Sequence, residues 1–234
     1  MKDLHLLLLE NFPIHEQLKI EEALLRLCRK NYCLINQGSP PSIVMGISSI
    51  TEKVVHPSII LEKKVPLIKR FSGGGCVVVD SDTLFVSFIL QKEALGLEMF
   101  PEPILRWSAN FYQKALEIPG FCLKENDYAI ANHKCGGNAQ YLRKNRFVHH
   151  TTFLWDYSEE KMNFLLFPPK VPKYREERSH ENFLTQLKHF LPSKEEFTKR
   201  VSISLEQNFS VKKITLENVE AFLEEEHRKS VTLV

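Results

Sequence analysis

The sequence predicts a mixed α+β fold. An amphipathic helix lies near the start, the middle third is a run of short extended segments, and the last third turns polar and helical. With 234 residues, 43% of them hydrophobic, the chain can bury a sizeable core. We expect one domain over residues 1–234, in which a helix-rich segment, 168–234, packs back onto the sheet and forms no full accessory domain.

From Ile14 to Lys30, Leu18, Leu24, Leu25 and Cys28 recur at helical spacing with charges between them. Tyr32 to Asn36 then reads as a strand, QGSPPS breaks the chain, and SIVMGI from Ser42 reads as a buried strand. Pro66 to Arg70, Cys76 to Val79 and Thr83 to Leu90 are further extended segments. Helix resumes after Pro103, with Ile104, Trp107, Phe111 and Leu116 near one face. Asp127 to Ile130, Lys134 to Tyr141 and Arg146 to Trp155 return to strand. From Pro168 the chain is punctuated by proline and then helical, and SKEEFTKR and LENVEAFLEEEH carry helix-start signals.

Composition narrows the function classes. Thirty-one Lys and Arg against 29 Asp and Glu leave a net charge of +2, too balanced to advertise nucleic acid or an anionic membrane as a partner. Five cysteines without a CxxC pair support neither a disulfide framework nor a zinc site, so a reducing cytoplasm is the expected setting. The leucine run Leu6 to Leu9 stops at Glu10 and Asn11, short of a signal-peptide core, and no later stretch approaches a membrane span.

Three constellations carry chemistry. In RFSGGGCVVVD the glycines run into a strand, which excludes a phosphate-binding P-loop, since that motif opens a helix. A bare glycine loop between strands suits a flexible hairpin tip or a ligand laid against backbone N–H groups, and Arg70 and Ser72 at its rim favour the ligand. In ENDYAIANHKCGGNAQ, a two-residue turn at Asn132 and His133 would pair Ala131 with Lys134 and Asp127 with Asn138. Alternation then places Asp127, Lys134, Asn138 and Gln140 on one face, and Tyr128, Ile130, Cys135, Ala139 and Tyr141 on the other. A strand lysine is most often a solvated group, yet one flanked by Gly136 and Gly137 has the open surroundings a ligand needs. In FVHHTTFLW, His149 and His150 point to opposite faces, so at most one meets a site.

In this order and spacing, RFSGGGCVVVD, ENDYAIANHKCGGNAQ and RFVHH resemble the lipoate-protein ligase family, part of the biotin and lipoate ligase group. The resemblance covers Ile14 to Tyr157, with a fainter echo from Pro172 to Leu184. It implies an α+β catalytic domain with a mixed β-sheet, which activates lipoate with ATP and magnesium to lipoyl-adenylate. The acyl group would then pass to a lysine of a lipoyl domain in a 2-oxoacid dehydrogenase acyltransferase, or of the glycine-cleavage H protein. By the same resemblance Lys134 would bridge the acyl carbonyl and the α-phosphate. Arg70, Ser72, Gly73, Gly74 and Gly75, continuing through Cys76, Val77, Val78 and Val79, would line the adenylate and acyl tail. Asn126 and Asp127 would lie near the phosphates or magnesium, Gly136, Asn138 and Ala139 would shape the pocket, and His149 would contact the acyl site.

The chain departs from the family at two places. Val79-Asp80 stands where a His-Asp pair is usual, and Asn132-His133 where Gly-Arg is favoured, which removes a possible phosphate contact. Full activity could require a separate accessory chain. The main rival is an octanoyltransferase that takes octanoyl from acyl-carrier protein as a cysteine thioester, with Cys122 the candidate nucleophile and Cys135 adjoining the lysine. A non-catalytic acyl-binding protein is the third reading. Biotin ligation is disfavoured, because that branch carries an arginine-rich glycine loop.

Overall fold

Strand pairing begins at the first residues. The computed structural model describes residues 1–62, 64–167 and 171–234. Within them the strands are β1 (Lys2–Glu10), β2 (Tyr32–Gln37), β3 (Ser42–Met45), β4 (Leu67–Lys69), β5 (Cys76–Val79), β6 (Thr83–Gln91), β7 (Phe121–Lys124), β8 (Asp127–Ile130), β9 (His133–Leu142), β10 (Arg146–Leu154), β11 (Phe209–Ile214) and β12 (Thr232–Leu233). The helices are α1 (Ile14–Leu27), α2 (Pro57–Glu62), α3 (Lys92–Leu95), α4 (Pro101–Leu116), α5 (Glu159–Met162), α6 (His180–Phe183), α7 (Lys194–Asn208) and α8 (Glu217–Glu224).

The large sheet runs β11-β1-β2-β6-β10-β9-β8-β7 and the small one β12-β4-β3-β5. Parallel pairing joins β11, β1 and β2, and also β3 and β4, whereas the other neighbours are antiparallel, so the fold is mixed α+β. Both faces of the large sheet are covered. On one, Phe88, Phe111, Tyr112, Tyr128, Phe153 and Phe197 pack with α4 and α7. On the other, Leu18 and Leu24 of α1, Val219 of α8 and Val44, Ile68 and Phe71 of the small sheet and its loop close over Phe85, Ile89 and Val148.

Local chemistry explains the helix ends that matter for the site. The apolar stripe of α1 rests on β6 and β10, and the helix stops where two arginines take its last carbonyls. Arg146 Nη2 donates to Leu24 O at 3.4 Å and Lys30 O at 2.9 Å, and Arg143 Nη1 donates to Leu25 O and Arg26 O. At the start of α7, Ser193 Oγ accepts from Glu196 N at 3.2 Å, the cap that SKEE signals.

Several expectations need correction. The Leu6 to Leu9 run is part of a strand, with Leu4 and Leu6 in one core and Leu7 in the other. Sequence reading also missed β7, β11 and β12. The stretch after Pro172, expected to be helical, holds only single turns: 3-10 turns at Lys173–Arg175 and Leu187–His189, and the four-residue α6. Pro168, the expected boundary residue, lies outside the described residues. The segment beyond it meets the rest of the chain through β11 on β1, β12 on β4, α7 on α4 and α8 on α1. Among the described residues no helix is long and apolar enough to cross a membrane.

Candidate active site

The glycine loop is no hairpin tip. Strands β4 and β5 flank β3 instead of pairing with each other, so the Arg70 to Gly75 connection must arch over the end of β3. Gly46, the next residue after that strand, makes the crossing possible: a Cβ there would sit 2.3 Å from Gly74 O. Gly74 itself has φ +105°, and its Cβ would come within 2.8 Å of Arg70 Nη2. Gly73, Gly74 and Gly75 are exposed, and a Cβ on Gly73 or Gly75 would meet nothing within 4 Å. Among the described residues, the open side of the loop is free backbone.

Arg70 and Ser72 lie beneath the loop, not at its rim. Arg70 is 6% exposed and Ser72 fully buried. Arg70 donates through Nε to Ser72 Oγ at 3.0 Å and through Nη2 to Gly73 O at 2.8 Å. Burial lowers its guanidinium to about 10 and pushes the neighbouring Cys76 thiol up to about 12. Past Cys76 the chain enters the core: Val77 and Val79 join the cluster that holds Leu18 and Leu24 of α1, and Val78 joins that of Ile43 and Ile59. Val79, at 1% exposure, is an apolar core residue.

The lysine hairpin turns one residue earlier than its sequence suggests. Ile130 pairs with His133, so Ala131 and Asn132 form the turn, with Ala131 at φ +53°. A bulge follows: Tyr128 faces Gly136 and Ala129 faces Lys134, leaving Cys135 as the extra residue. The bulge shifts the alternation, so the expected face assignment fails beyond Cys135. Gly137 and Ala139 share the Lys134 face, since a Gly137 Cβ would lie 3.5 Å from Lys134 Nζ and a Gly74 Cβ 3.6 Å from Ala139 Cβ. Gly136 and Gln140 turn the other way, against Phe153 and Pro101. Asn138 Nδ2 donates to Asn126 O at 2.6 Å and closes the β7–β8 corner.

Lys134 Nζ pairs with Asp127 Oδ1 at 2.8 Å. The other carboxylate oxygen accepts from Tyr174 Oη at 3.0 Å. That tyrosine belongs to the segment after Pro172, which also donates Thr185 N to Lys134 O at 2.8 Å and Arg178 Nη1 to Asn132 O at 3.0 Å. Burial, then the Asp127 charge, raises the Tyr174 phenol far above its ordinary value and keeps it a donor. Along β9, Ala139 under the glycine loop is two residues, about 7 Å, from Gly137 beside the ammonium. The hairpin and the loop thus border one surface.

The two histidines separate as alternation requires, but His150 is the one near the loop. Its Nε2 lies 2.8 Å from Ser72 Oγ and its Nδ1 2.9 Å from Glu21 Oε2. The structure does not bring His149 to this cluster. It is fully buried on the opposite face, where Nε2 lies 2.8 Å from Tyr128 Oη, and burial holds its imidazole down to about 3. Cys122 is partly exposed on β7, and its Sγ meets Ala131 O at 3.7 Å. Cys135 is buried and donates to Tyr128 O. No three His, Cys, Asp or Glu side chains gather into a metal site among the described residues.

A comparison with known protein families decides the identity. Residues 13–209 match the lipoyl protein ligase A/B catalytic domain. The chain belongs to that family. Over 238 aligned residues it is 32% identical to the protein named "inactive lipoate–protein ligase 2" of Plasmodium falciparum, covering 76% of this chain and 61% of that protein. This lipoate-ligase-type chain spans about half the length of the curated relatives it matches, from 43% to 61%. Among solved structures it resembles a bipartite lipoate protein ligase from Thermoplasma acidophilum, with a TM-score of 0.79, 18% identity, and 95% and 91% of the two chains covered. A lipoate-protein ligase A bound with ATP gives a TM-score of 0.75 at 20% identity, covering 95% and 93%. At these identities the likeness establishes the fold, the biotin and lipoate ligase type that the sequence motifs imply.

Sequence reasoning missed Gly46, Glu21, His150 and Tyr174. Glu21 left a signal, since it follows Leu18 by three residues and precedes Leu25 by four and so sits on the apolar stripe of α1. Tyr174 lies in the stretch from Pro172 to Leu184 that faintly echoes the family, but its contact with Asp127 spans 47 residues and has no local pattern.

Proposed function

We infer that the domain forms an acyl-adenylate from lipoate and ATP and passes the acyl group to a lysine of a lipoyl domain. The observation that carries this is the Lys134–Asp127 pair at 2.8 Å, on the strand face shared with Ala139 and the exposed Gly73–Gly75 backbone. In the first step a carboxylate oxygen bonds to the α-phosphorus and the bond to pyrophosphate breaks. Negative charge builds on the phosphoryl oxygens, and an oriented ammonium with backbone N–H donors is the environment that stabilises it. In the second step an acceptor amine bonds to the acyl carbon and AMP leaves. Asp127 aims the Lys134 ammonium along β9, and the open surface over Gly73 and Gly75 leaves room for the nucleotide.

Further support comes from relatives. One structural neighbour is bound with ATP, a second with lipoic acid, and a third belongs to an archaeal lipoylation system with its E2 lipoyl domain. A lipoyl domain of a 2-oxoacid dehydrogenase or a glycine-cleavage H protein is therefore the proposed acceptor. One structural neighbour is a bipartite ligase, so the need for a separate accessory chain is tested by adding one. Magnesium would travel with the nucleotide. Both Asp127 oxygens are already engaged, by Lys134 and Tyr174, so these residues form no ready site for the ion.

Incubation of the pure protein with lipoate, magnesium and ATP labelled at the α-phosphate tests the reading. Formation of labelled lipoyl-adenylate and its consumption by a lipoyl domain are expected. Transfer from octanoyl-carrier protein without adenylate would replace it with the thioester route. Against that route, Cys122 Sγ bonds a backbone carbonyl and no basic side chain among the described residues, so Cys122→Ser is expected to retain full adenylate formation. Binding without turnover is the second reading, favoured by the relative whose name declares it inactive. It predicts saturable lipoate binding and no adenylate.

A further inference from the structure

A buried polar chain crosses the molecule from α1 to the glycine loop. Asn36 Nδ2 donates to Gln17 Oε1 at 2.9 Å, and Gln17 Nε2 donates to Glu21 Oε1 at 2.9 Å. Ser87 Oγ donates to the same carboxylate oxygen at 2.5 Å. The remaining oxygen faces His150 Nδ1, whose ring reaches Ser72 Oγ, and Ser72 accepts from Arg70 Nε. A carboxylate only accepts, so Nδ1 carries a proton toward Glu21, and in the tautomer protonated there alone Ser72 donates to Nε2. The donors then converge on Glu21, from Asn36, Gln17 and Ser87 on one side and, through Ser72 and His150, from the Arg70 guanidinium on which Gly74 lies on the other.

The order Ser72, His150, Glu21 is that of a nucleophile, its base and the base's orienting acid. Two facts remove that role. Ser72 is fully buried, and its oxygen already holds Arg70. What the arrangement can do is fix a loop. Gly73 and Gly75 have no neighbour in the direction of a Cβ, so the loop rests on Arg70 from below and on Gly46 at the crossing. Glu21, at 0% exposure, costs desolvation that its three donors offset.

We propose that Glu21 and His150 are positioning residues of the glycine loop, acting through Ser72 to hold the Arg70 guanidinium flat beneath Gly74. Its consequence for turnover rests on the adenylation reading above, but the brace itself does not. Loss of the brace leaves the ammonium of Lys134 in place and loosens the backbone that would receive the nucleotide, so KM for ATP rises while kcat holds within about threefold.

The test follows the Arg70 Nε–H resonance by NMR in the intact chain. In the wild type this proton, buried and bonded to Ser72, exchanges slowly. In Glu21→Gln it is expected to exchange at least tenfold faster, and in Ser72→Ala likewise. The double variant should match Ser72→Ala, because Glu21 acts through that hydroxyl. His150→Asn cuts the chain at the partly exposed ring and carries the same expectation should Glu21→Gln fail to fold. Unchanged Arg70 exchange in the folded Glu21 or His150 variant, or multiplying effects in the double variant, overturns the proposal. A Ser72 acyl-enzyme detected by mass spectrometry after incubation with octanoyl thioester would also overturn it. Absence of adenylate in the wild type would sink the adenylation reading alone, since the exchange measurement needs no substrate.

Discussion

Burial decides how His149 titrates. Its imidazole stays neutral down to about pH 3 in the folded chain, whereas an unfolded histidine takes a proton near 6.5. Between those values unfolding binds a proton, so this group's stability is full above about pH 6.5 and falls as the pH drops, by up to about 1.4 kcal/mol per unit. Urea midpoints measured from pH 7 to 4 should fall more steeply for the wild type than for His149→Gln; equal slopes would contradict the placement. Gly136 makes a second residue-scale case. A Cβ there would lie 2.7 Å from Phe153 Cδ1 and 2.9 Å from Thr152 O, so Gly136→Ala forces backbone apart. A loss of about 1–3 kcal/mol in urea denaturation is expected. The sequence showed a glycine pair beside a lysine, and only the bulge at Cys135 reveals that one glycine serves the core and the other the amine.

At the scale of elements, legibility followed periodicity. Strands β5 and β8 appear in the sequence at the bounds the structure gives, because a valine run and a short apolar stretch are each punctuated by turn residues. Strand β1 did not, since four successive leucines hide the alternation that sends Leu6 and Leu7 to different cores. The strap after Pro172 was unreadable for another reason: backbone bonds and Tyr174 fasten it to the lysine hairpin, and no local pattern encodes such contacts. Helix α7 was legible from its cap. Ser193→Ala removes the bond to Glu196 N and should lower stability by about 1 kcal/mol while leaving acyl transfer intact. A loss of transfer at constant stability would show that α7 has a part in the site.

On the scale of the molecule, the large sheet carries the hairpin, the small sheet carries the glycine loop, and Glu21 of α1 bonds Ser87 and His150 of the large sheet and reaches the loop through His150 and Ser72. The motifs announced that loop and lysine belong together but not how: Arg70 and Ser72 brace from below, and the open side is bare backbone among the described residues. Val79 illustrates the same limit. Its departure from the usual histidine reads in sequence as a lost polar group, whereas in the fold it fills a buried position in an apolar cluster. The most direct measurement of the account is single-turnover formation of lipoyl-adenylate by the wild type and Lys134→Ala, each verified as folded by its thermal transition. A fall of about 10²-fold or more in the variant is predicted, the loss expected when a charge-stabilising group is removed from a preorganised site. Equal rates in the two proteins would contradict it.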